Sequence, residues 1–208
     1  MNIIIFGAPG SGKGTVAQKI EKEFGYPQIS TGDILREEIN NKTQLGEQIS
    51  LAMKNGEYVD DQIMFSVLKQ RLNQNDCQKG FILDGYPRTK LQAENLKNFC
   101  DIDFVFYLDV SEEEIKKRIL TRKVCPNCRA VYNELNYKNP TCSSCGTKLI
   151  KRSDDTLEII TKRIEFFKKE TLPVIDCFQE KIIKIGTNSK SSEEIYQKIR
   201  EVLIRSEN

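Results

Sequence analysis

Two hydrophobic periods alternate along this chain. Short apolar runs at residues 2–6, 80–84, 103–109 and 181–185 are too brief for helices and lack strict polar alternation, so they read as strands buried on both faces. Between them lie longer stretches in which apolar residues recur every three or four positions, the stripe of an amphipathic helix. These cover residues 15–24, 32–41, 45–55, 60–73, 90–99, 111–121, 155–180 and 192–205, with Pro173 expected to kink the longest. The first 35 residues read strand, glycine-rich turn, helix, strand. Alternation of this kind predicts an α/β fold with a doubly wound parallel sheet.

Two segments interrupt the alternation. Residues 30–59 read as wholly helical, and residues 122–154 hold four of the seven cysteines. The expected organisation is a core built from 1–29, 60–121 and 155–208, with 30–59 and 122–154 as insertions upon it.

Composition narrows the function classes. With 208 residues, 38% hydrophobic and 30% charged, the chain has the makeup of a globular protein of one or two domains. Its longest apolar run, near residues 104–108, is far shorter than the ~18 residues of a membrane span. The chain enters its first apolar run directly after Met1 and Asn2, without the basic n-region of a secretory signal, so a cytoplasmic address is expected. A net charge of +2 gives no global field of the kind a dedicated nucleic-acid binder carries, so anions must be held by local clusters. There is no histidine, which excludes any mechanism that needs imidazole.

The glycine-rich turn carries the first chemistry. Gly7-Ala8-Pro9-Gly10-Ser11-Gly12-Lys13-Gly14-Thr15 matches G-x-x-x-x-G-K and sits between an apolar strand and a helix. In that setting glycines let successive backbone N–H groups curl around phosphate oxygens, the helix N-terminus adds partial positive charge, and Lys13 reaches the β and γ phosphates. The common motif places a hydroxyl residue after the lysine to bind Mg²⁺, but here that position is Gly14. Mg²⁺ is therefore expected mainly on nucleotide phosphates and water, with Asp84, at the end of the strand over 80–84, reaching it directly or through water. A loop-capping role for Asp84 is the alternative.

The cysteines carry the second. Cys125-Pro126-Asn127-Cys128 and Cys142-Ser143-Ser144-Cys145 are two C-x-x-C pairs separated by thirteen residues, and they read as knuckles closing one tetrahedral site. Four thiolates leave no open coordination position, so the expected ion is a single structural Zn²⁺, with iron, disulfides or an adventitious cluster as alternatives. Cys77, Cys100 and Cys177 are scattered and read as buried apolar positions.

Gly7 to Thr15, the run Ser30-Thr31-Gly32-Asp33-Ile34-Leu35-Arg36, the run Asp84-Gly85-Tyr86-Pro87-Arg88 and the run Arg152-Ser153-Asp154-Asp155 together resemble the adenylate kinase family, in order and over nearly the whole chain. The resemblance implies a P-loop core with a helical AMP-binding insertion and a small four-cysteine zinc lid, catalysing reversible transfer from ATP to AMP to give two ADP. It implies ATP contacts from Gly10, Ser11, Gly12, Lys13, Gly14, Thr15, Arg118, Arg122, Val131, Tyr132 and the backbone near Asn188. For AMP it implies Thr31, Arg36, Glu57, Tyr58, Val59, Gly85, Tyr86, Pro87, Arg88 and Gln92, with Gln92 reading adenine and with Arg152 and Arg163 arriving as the lid closes. Lys13, Arg88, Arg122, Arg152 and Arg163 form the implied catalytic set. Adenylate kinases are themselves a standing example of hinged lid closure, so that expectation comes with the resemblance.

The chemistry agrees with this placement on independent grounds. A phosphate acceptor is already an anion at neutral pH and needs no general base, so the missing imidazole costs nothing. The reaction does need cations that screen two polyphosphates and stabilise charge spread over equatorial oxygens, work suited to the planar fork of arginine. The expected partners are small nucleotides only, with neither nucleic acid nor membrane, and a monomer is the default. Two rivals stand: a kinase of UMP or CMP, against which Thr31 and Gln92 argue, and a non-enzymatic nucleotide-dependent module whose zinc ribbon grips nucleic acid.

Overall fold

The computed structural model describes residues 1–55, 57–188 and 190–207, the side chain of 207 excepted. Five strands form one parallel sheet: β1 (Asn2–Gly7), β2 (Gln28–Ser30), β3 (Phe81–Asp84), β4 (Phe104–Asp109) and a last strand, Ile182–Gly186. The order across it is β2, β3, β1, β4, then that last strand, and β1 at the centre pairs Ile4 with Leu83 on one side and with Val105 on the other.

Both faces of this sheet are covered, which is why its strands read as unbroken apolar runs. Ile3 and Ile5 point to one side and pack with Val16, Ala17 and Ile20 of α1 (Lys13–Phe24) and with Ile195, Ile199 and Leu203 of the C-terminal helix Ser192–Glu207. Ile4 and Phe6 point to the other side, into a cluster with residues of α2 (Thr31–Asn40), α3 (Gln44–Asn55), α4 (Asp61–Leu72), α5 (Lys90–Phe99) and α6 (Glu112–Leu120). A doubly wound parallel sheet is thus what the chain forms.

Local chemistry sets the helix starts. Ser30, Asp60, Thr89 and Ser111 each accept a hydrogen bond from an amide of the first turn of the helix they precede. Helix α1 begins at Lys13, two residues earlier than the periodicity suggests, because the left-handed Gly12 ends the loop there. Residues 41–43 and 57–60 are not helical, so the segment expected to be wholly helical is interrupted once and ends in irregular backbone.

The long helix expected over 155–180 is divided into three. Helix α7 (Leu157–Phe166), capped by Thr156, widens into a π turn over Phe167–Thr171 and continues as a tighter run over Leu172–Lys181. The break is expressed as the π turn just before Pro173, whose ring cannot sit against the carbonyl four residues back. The last strand, β7 by chain order, and the last helix, α8, follow.

The second insertion holds a two-stranded antiparallel ribbon, β5 (Arg122–Val124) and β6 (Val131–Asn133), with further bridges from Val124 to Ile150 and from Thr141 to Lys148. Its small apolar cluster is Cys125, Cys142 and Leu149, with Ala130, Tyr132 and Tyr137 packed beside them, and Val124 of β5 is buried as well. No described helix is long and apolar enough to cross a membrane.

Candidate active site

The loop between β1 and α1 is shaped by two left-handed glycines, Gly10 at φ 77° and Gly12 at φ 100°. A Cβ on Gly10 would also come within 2.6 Å of Ile119. Gly12 caps α1 without a side-chain bond, so the first amides of the helix stay available to a ligand where Gly12 to Thr15 line a cavity. Ser11 lies beneath the loop instead, fully buried, its Oγ without a hydrogen-bond partner among the described residues.

Lys13 folds back over the loop and donates from Nζ to the carbonyls of Gly7 (2.9 Å) and Ala8 (2.8 Å). Burial makes its charge costly and pulls its pKa down to about 8; Asp84 opposes this, while Arg88 and Arg122 add to it. Asp84 sits at the C-terminal end of β3, where burial pushes its carboxyl up against the pull of Lys13, and its Oδ2 accepts from Gln28 Nε2 at 2.9 Å. A Cβ on Gly14 would stand 3.2 Å from that oxygen, so the glycine that replaces the usual hydroxyl residue leaves room beside the carboxylate.

Arg118 braces the loop from α6. Its Nη1 donates to the Ser11 carbonyl (3.4 Å), its Nη2 to the Thr187 carbonyl (3.0 Å) and its Nε to Glu114 (2.9 Å). Asn188 accepts from the Ser111 amide at 2.9 Å and does not line the cavity, whereas Lys190 and Ser191 do.

Across the cavity stands a ring of guanidinium groups drawn from separate segments. Four of them are held by aspartates: Arg36 by Asp33 (2.5 Å) and more distantly Asp154 (3.9 Å), Arg152 by Asp33 (3.5 Å), Arg163 by Asp154 (2.7 Å) and Arg122 by Asp155, to which its Nε donates at 2.9 Å. Arg88 is different. Its Nε donates to the Gly85 carbonyl at 2.6 Å and its guanidinium lies 4.8 Å from the Tyr58 ring, which stacks on Phe166. Burial lowers the pKa of Arg88, and it lowers that of Arg152 to about 10, with Arg36 and Arg122 adding to the latter. The cluster is therefore short of negative charge, the condition an arriving anion relieves.

Thr31 donates to the Gly85 carbonyl at 3.0 Å, and Glu57, Tyr58, Val59 and Gln92 complete this side of the cavity. Tyr86 and Pro87 do not line it: Tyr86 is a core residue, 1% exposed, whose hydroxyl donates to the Gln92 carbonyl. Gln92 is itself 3% exposed, with both ends of its amide bonded within the protein.

Val131 and Tyr132 line the cavity from β6, and the Tyr132 hydroxyl lies 3.1 Å from Cys142 Sγ and 3.0 Å from Ser143 Oγ. That hydroxyl holds the Cys142 thiol below its usual range. The sulfurs of Cys125, Cys128, Cys142 and Cys145 lie within 4.8 Å of one another, with close approaches of 3.4 Å. A tetrahedral ion at about 2.3 Å from each sulfur sets them about 3.8 Å apart, so the donor set fits zinc. Arg129, beside these knuckles, pairs with Glu37 of α2 at 3.2 Å, and its carbonyl accepts from Gln18 of α1 at 3.1 Å, which brings the cysteine-bearing insertion over the cavity.

Sequence reasoning missed the carboxylates and amides that hold these groups: Asp33, Asp154 and Asp155 for the arginines, Gln28 for Asp84, and Asp61 for Gln92. All three aspartates stand inside the quoted motifs, but only Asp33 has a local partner, Arg36 three residues on; Asp154 and Asp155 bind Arg163 and Arg122, not the adjacent Arg152, which Asp33 holds from α2.

Loop and guanidinium ring share one cavity of about 520 Å³, the size of a small-molecule site. An amide-lined cradle facing a ring of cations across such a cavity defines a P-loop phosphotransferase site for two phosphorylated ligands. Comparison with known sequences narrows this. The profile of the family described as adenylate kinase matches residues 5–183. The chain is 42% identical to an adenylate kinase of Thermoanaerobacter sp. (strain X514) over 98% of each chain. It is 42% identical to one of Archaeoglobus fulgidus, again over 98% of each, and 44% identical to one of Petrotoga mobilis over 98% of this chain and 97% of that one. The chain belongs to the adenylate kinase family and is a phosphotransferase of the nucleoside monophosphate kinase type.

Proposed function

We propose that this chain interconverts ATP plus AMP and two ADP, with ATP on the loop at Gly10 to Thr15 and AMP against Thr31, Arg36, Gly85, Arg88 and Gln92. The observation that carries the reading is the pair of half-buried cations, Lys13 and Arg88, whose hydrogen bonds are to backbone carbonyls and not to carboxylates, both lining one cavity. Charge partly withdrawn from water and not bonded to a carboxylate is costly, and phosphate supplies the bonded counterion.

The loop amides and Lys13 hold the β and γ phosphates of the donor. Arg88 and Arg36 orient the acceptor phosphate for in-line attack, and Arg122, Arg152 and Arg163 exchange aspartate partners for the oxygens of the transferring group. The acceptor oxygen is already anionic, so no side chain removes a proton. Mg²⁺ supplies charge neutralisation between the phosphates when bound; one carboxylate, Asp84, and a glycine after the lysine fit an ion held mostly by phosphate and water. Residues 122–154 act as a lid stapled by one zinc on the four cysteines, residues 30–59 as the acceptor-binding insertion, and the rest as core. The protein works as a monomer in the cytoplasm, on free nucleotides.

Purified protein given ATP, Mg²⁺ and in turn AMP, CMP, UMP or GMP tests this. The reading requires two ADP from ATP and AMP, with AMP first in kcat/KM. A larger kcat/KM for CMP or UMP contradicts the acceptor assignment.

A further inference from the structure

Asp61, the first residue of α4, has no part in the cradle or in the ring of arginines, yet it takes two hydrogen bonds at the edge of the cavity. Gln92 Nε2 donates to its Oδ1 at 2.6 Å, and the Thr89 hydroxyl donates to its Oδ2 at 2.7 Å. Thr89 in turn accepts from the Gln92 amide N–H at 3.1 Å, so Asp61, Thr89 and the first turn of α5 form one bonded unit. The other end of the Gln92 side chain accepts from the Arg88 backbone N–H at 2.8 Å.

These partners remove an ambiguity that a glutamine side chain ordinarily keeps. An amide can turn over and exchange its oxygen for its nitrogen at almost no steric cost. Here a backbone N–H can only donate and an ionised carboxylate can only accept, so one orientation satisfies both and the reverse satisfies neither. Each end of the amide then has one valence left: a lone pair on Oε1 and an N–H on Nε2.

We infer that Asp61 is the positioning residue that sets base selection at the acceptor site, by locking Gln92 in the orientation that presents an acceptor beside a donor. This rests on the proposed placement of AMP against Gln92. That pair complements the adenine edge, on which N6–H donates and N1 accepts. It opposes the hypoxanthine edge, on which O6 accepts and N1–H donates, so that both contacts become like against like. Asp61 therefore determines selection without touching the base.

The test is the ratio of kcat/KM for AMP to that for inosine monophosphate, in the wild-type chain and in Asp61→Asn. Asparagine offers either an N–H or a carbonyl to Gln92, so in the variant only the bond from the Arg88 backbone N–H still opposes reversal of the amide. The wild-type chain is expected to favour AMP by roughly 10²-fold or more, because a mispaired polar edge is rejected strongly. In the variant the ratio is expected to fall by about tenfold or more, chiefly through better use of inosine monophosphate. Should Asp61→Asn fail to fold, Asp61→Ser, which also donates or accepts, carries the same measurement. An unchanged ratio, with both substrates losing equally, overturns the role of Asp61 while leaving the proposed function standing. A wild-type chain that shows no preference for AMP overturns the acceptor placement and the inference with it.

Discussion

In the proposed reading the two sides of the cavity hold phosphate by different means. On the donor side the contacts come from backbone, a run of amides exposed by Gly10 and Gly12, with Lys13 folded over them. On the acceptor side they come from side chains on α2, α7 and the loop after β3, most of them resting on aspartates. The backbone cradle is local and present before any ligand arrives. The guanidinium ring is non-local, and in the proposed reading it exchanges partners as the insertions move over the core.

Removing one cation from each side gives the largest effects. Lys13→Ala and Arg88→Ala are each expected to lower kcat on the order of 10³-fold or more while the melting temperature stays near that of the parent. Near-normal turnover in folded Arg88→Ala takes that arginine out of the reaction. Arg88→Lys sharpens the contrast, because a point charge does not replace a fork on the side-chain half; it is expected to recover little of the loss.

Gly10→Ala probes the backbone half alone. The left-handed φ costs about 1–2 kcal/mol, and the contact with Ile119 adds to it, so denaturant unfolding should show a loss of that order or more together with a raised KM for ATP and little change in KM for AMP. Equal loss for both nucleotides breaks the division between the halves.

In the proposed reading, metal removal reaches the acceptor ring through the lid. With so few apolar residues buried between β5 and Leu149, this insertion depends on its sulfurs, and chelation is expected to lower the melting temperature and kcat/KM while the far-ultraviolet signal of the sheet core persists. Metal analysis of freshly reduced protein should find about one zinc per chain, and finding neither zinc nor iron contradicts the site.

The smallest effect is a proton. Lys13 is pulled down to about 8 from an ordinary 10.5, and phosphate favours its charged form, so ATP binding at pH 8.5 should take up a fraction of a proton that is absent at pH 6.5 and in Lys13→Ala. Calorimetry in buffers of differing ionisation heat reads this directly. In the free protein the sign for stability is the opposite of an ion pair's: between about 8 and 10.5 the unfolded chain binds the proton and the folded chain does not, so this group makes folding more favourable as pH rises through that window.

The contrast between the halves also explains what the sequence disclosed. The donor cradle is nine consecutive residues between a strand and a helix, and local spacing makes it legible. Buried strands on both sides of the sheet announced themselves as continuous apolar runs for the same reason. Arg36, Arg122, Arg152 and Arg163 lie far apart in the chain, and only resemblance to a family brought them together. The carboxylates that hold them, and the bond from Asp61 to Gln92, depend on three-dimensional neighbours that no spacing encodes. The side chains of Ser11, Tyr86 and Asn188 turn to the core or to neighbouring backbone, a direction that residue type and spacing do not announce.

Crystals grown with a bisubstrate inhibitor, two adenosines joined through five phosphates, address the central claim most directly. The account predicts phosphate oxygens on the amides of residues 10–15 and on Lys13 at one end, Arg36 and Arg88 on the phosphate at the other, and Arg122, Arg152 and Arg163 turned from their aspartates toward the middle. An empty loop, or an inhibitor bound with those arginines still on Asp33, Asp154 and Asp155, contradicts it.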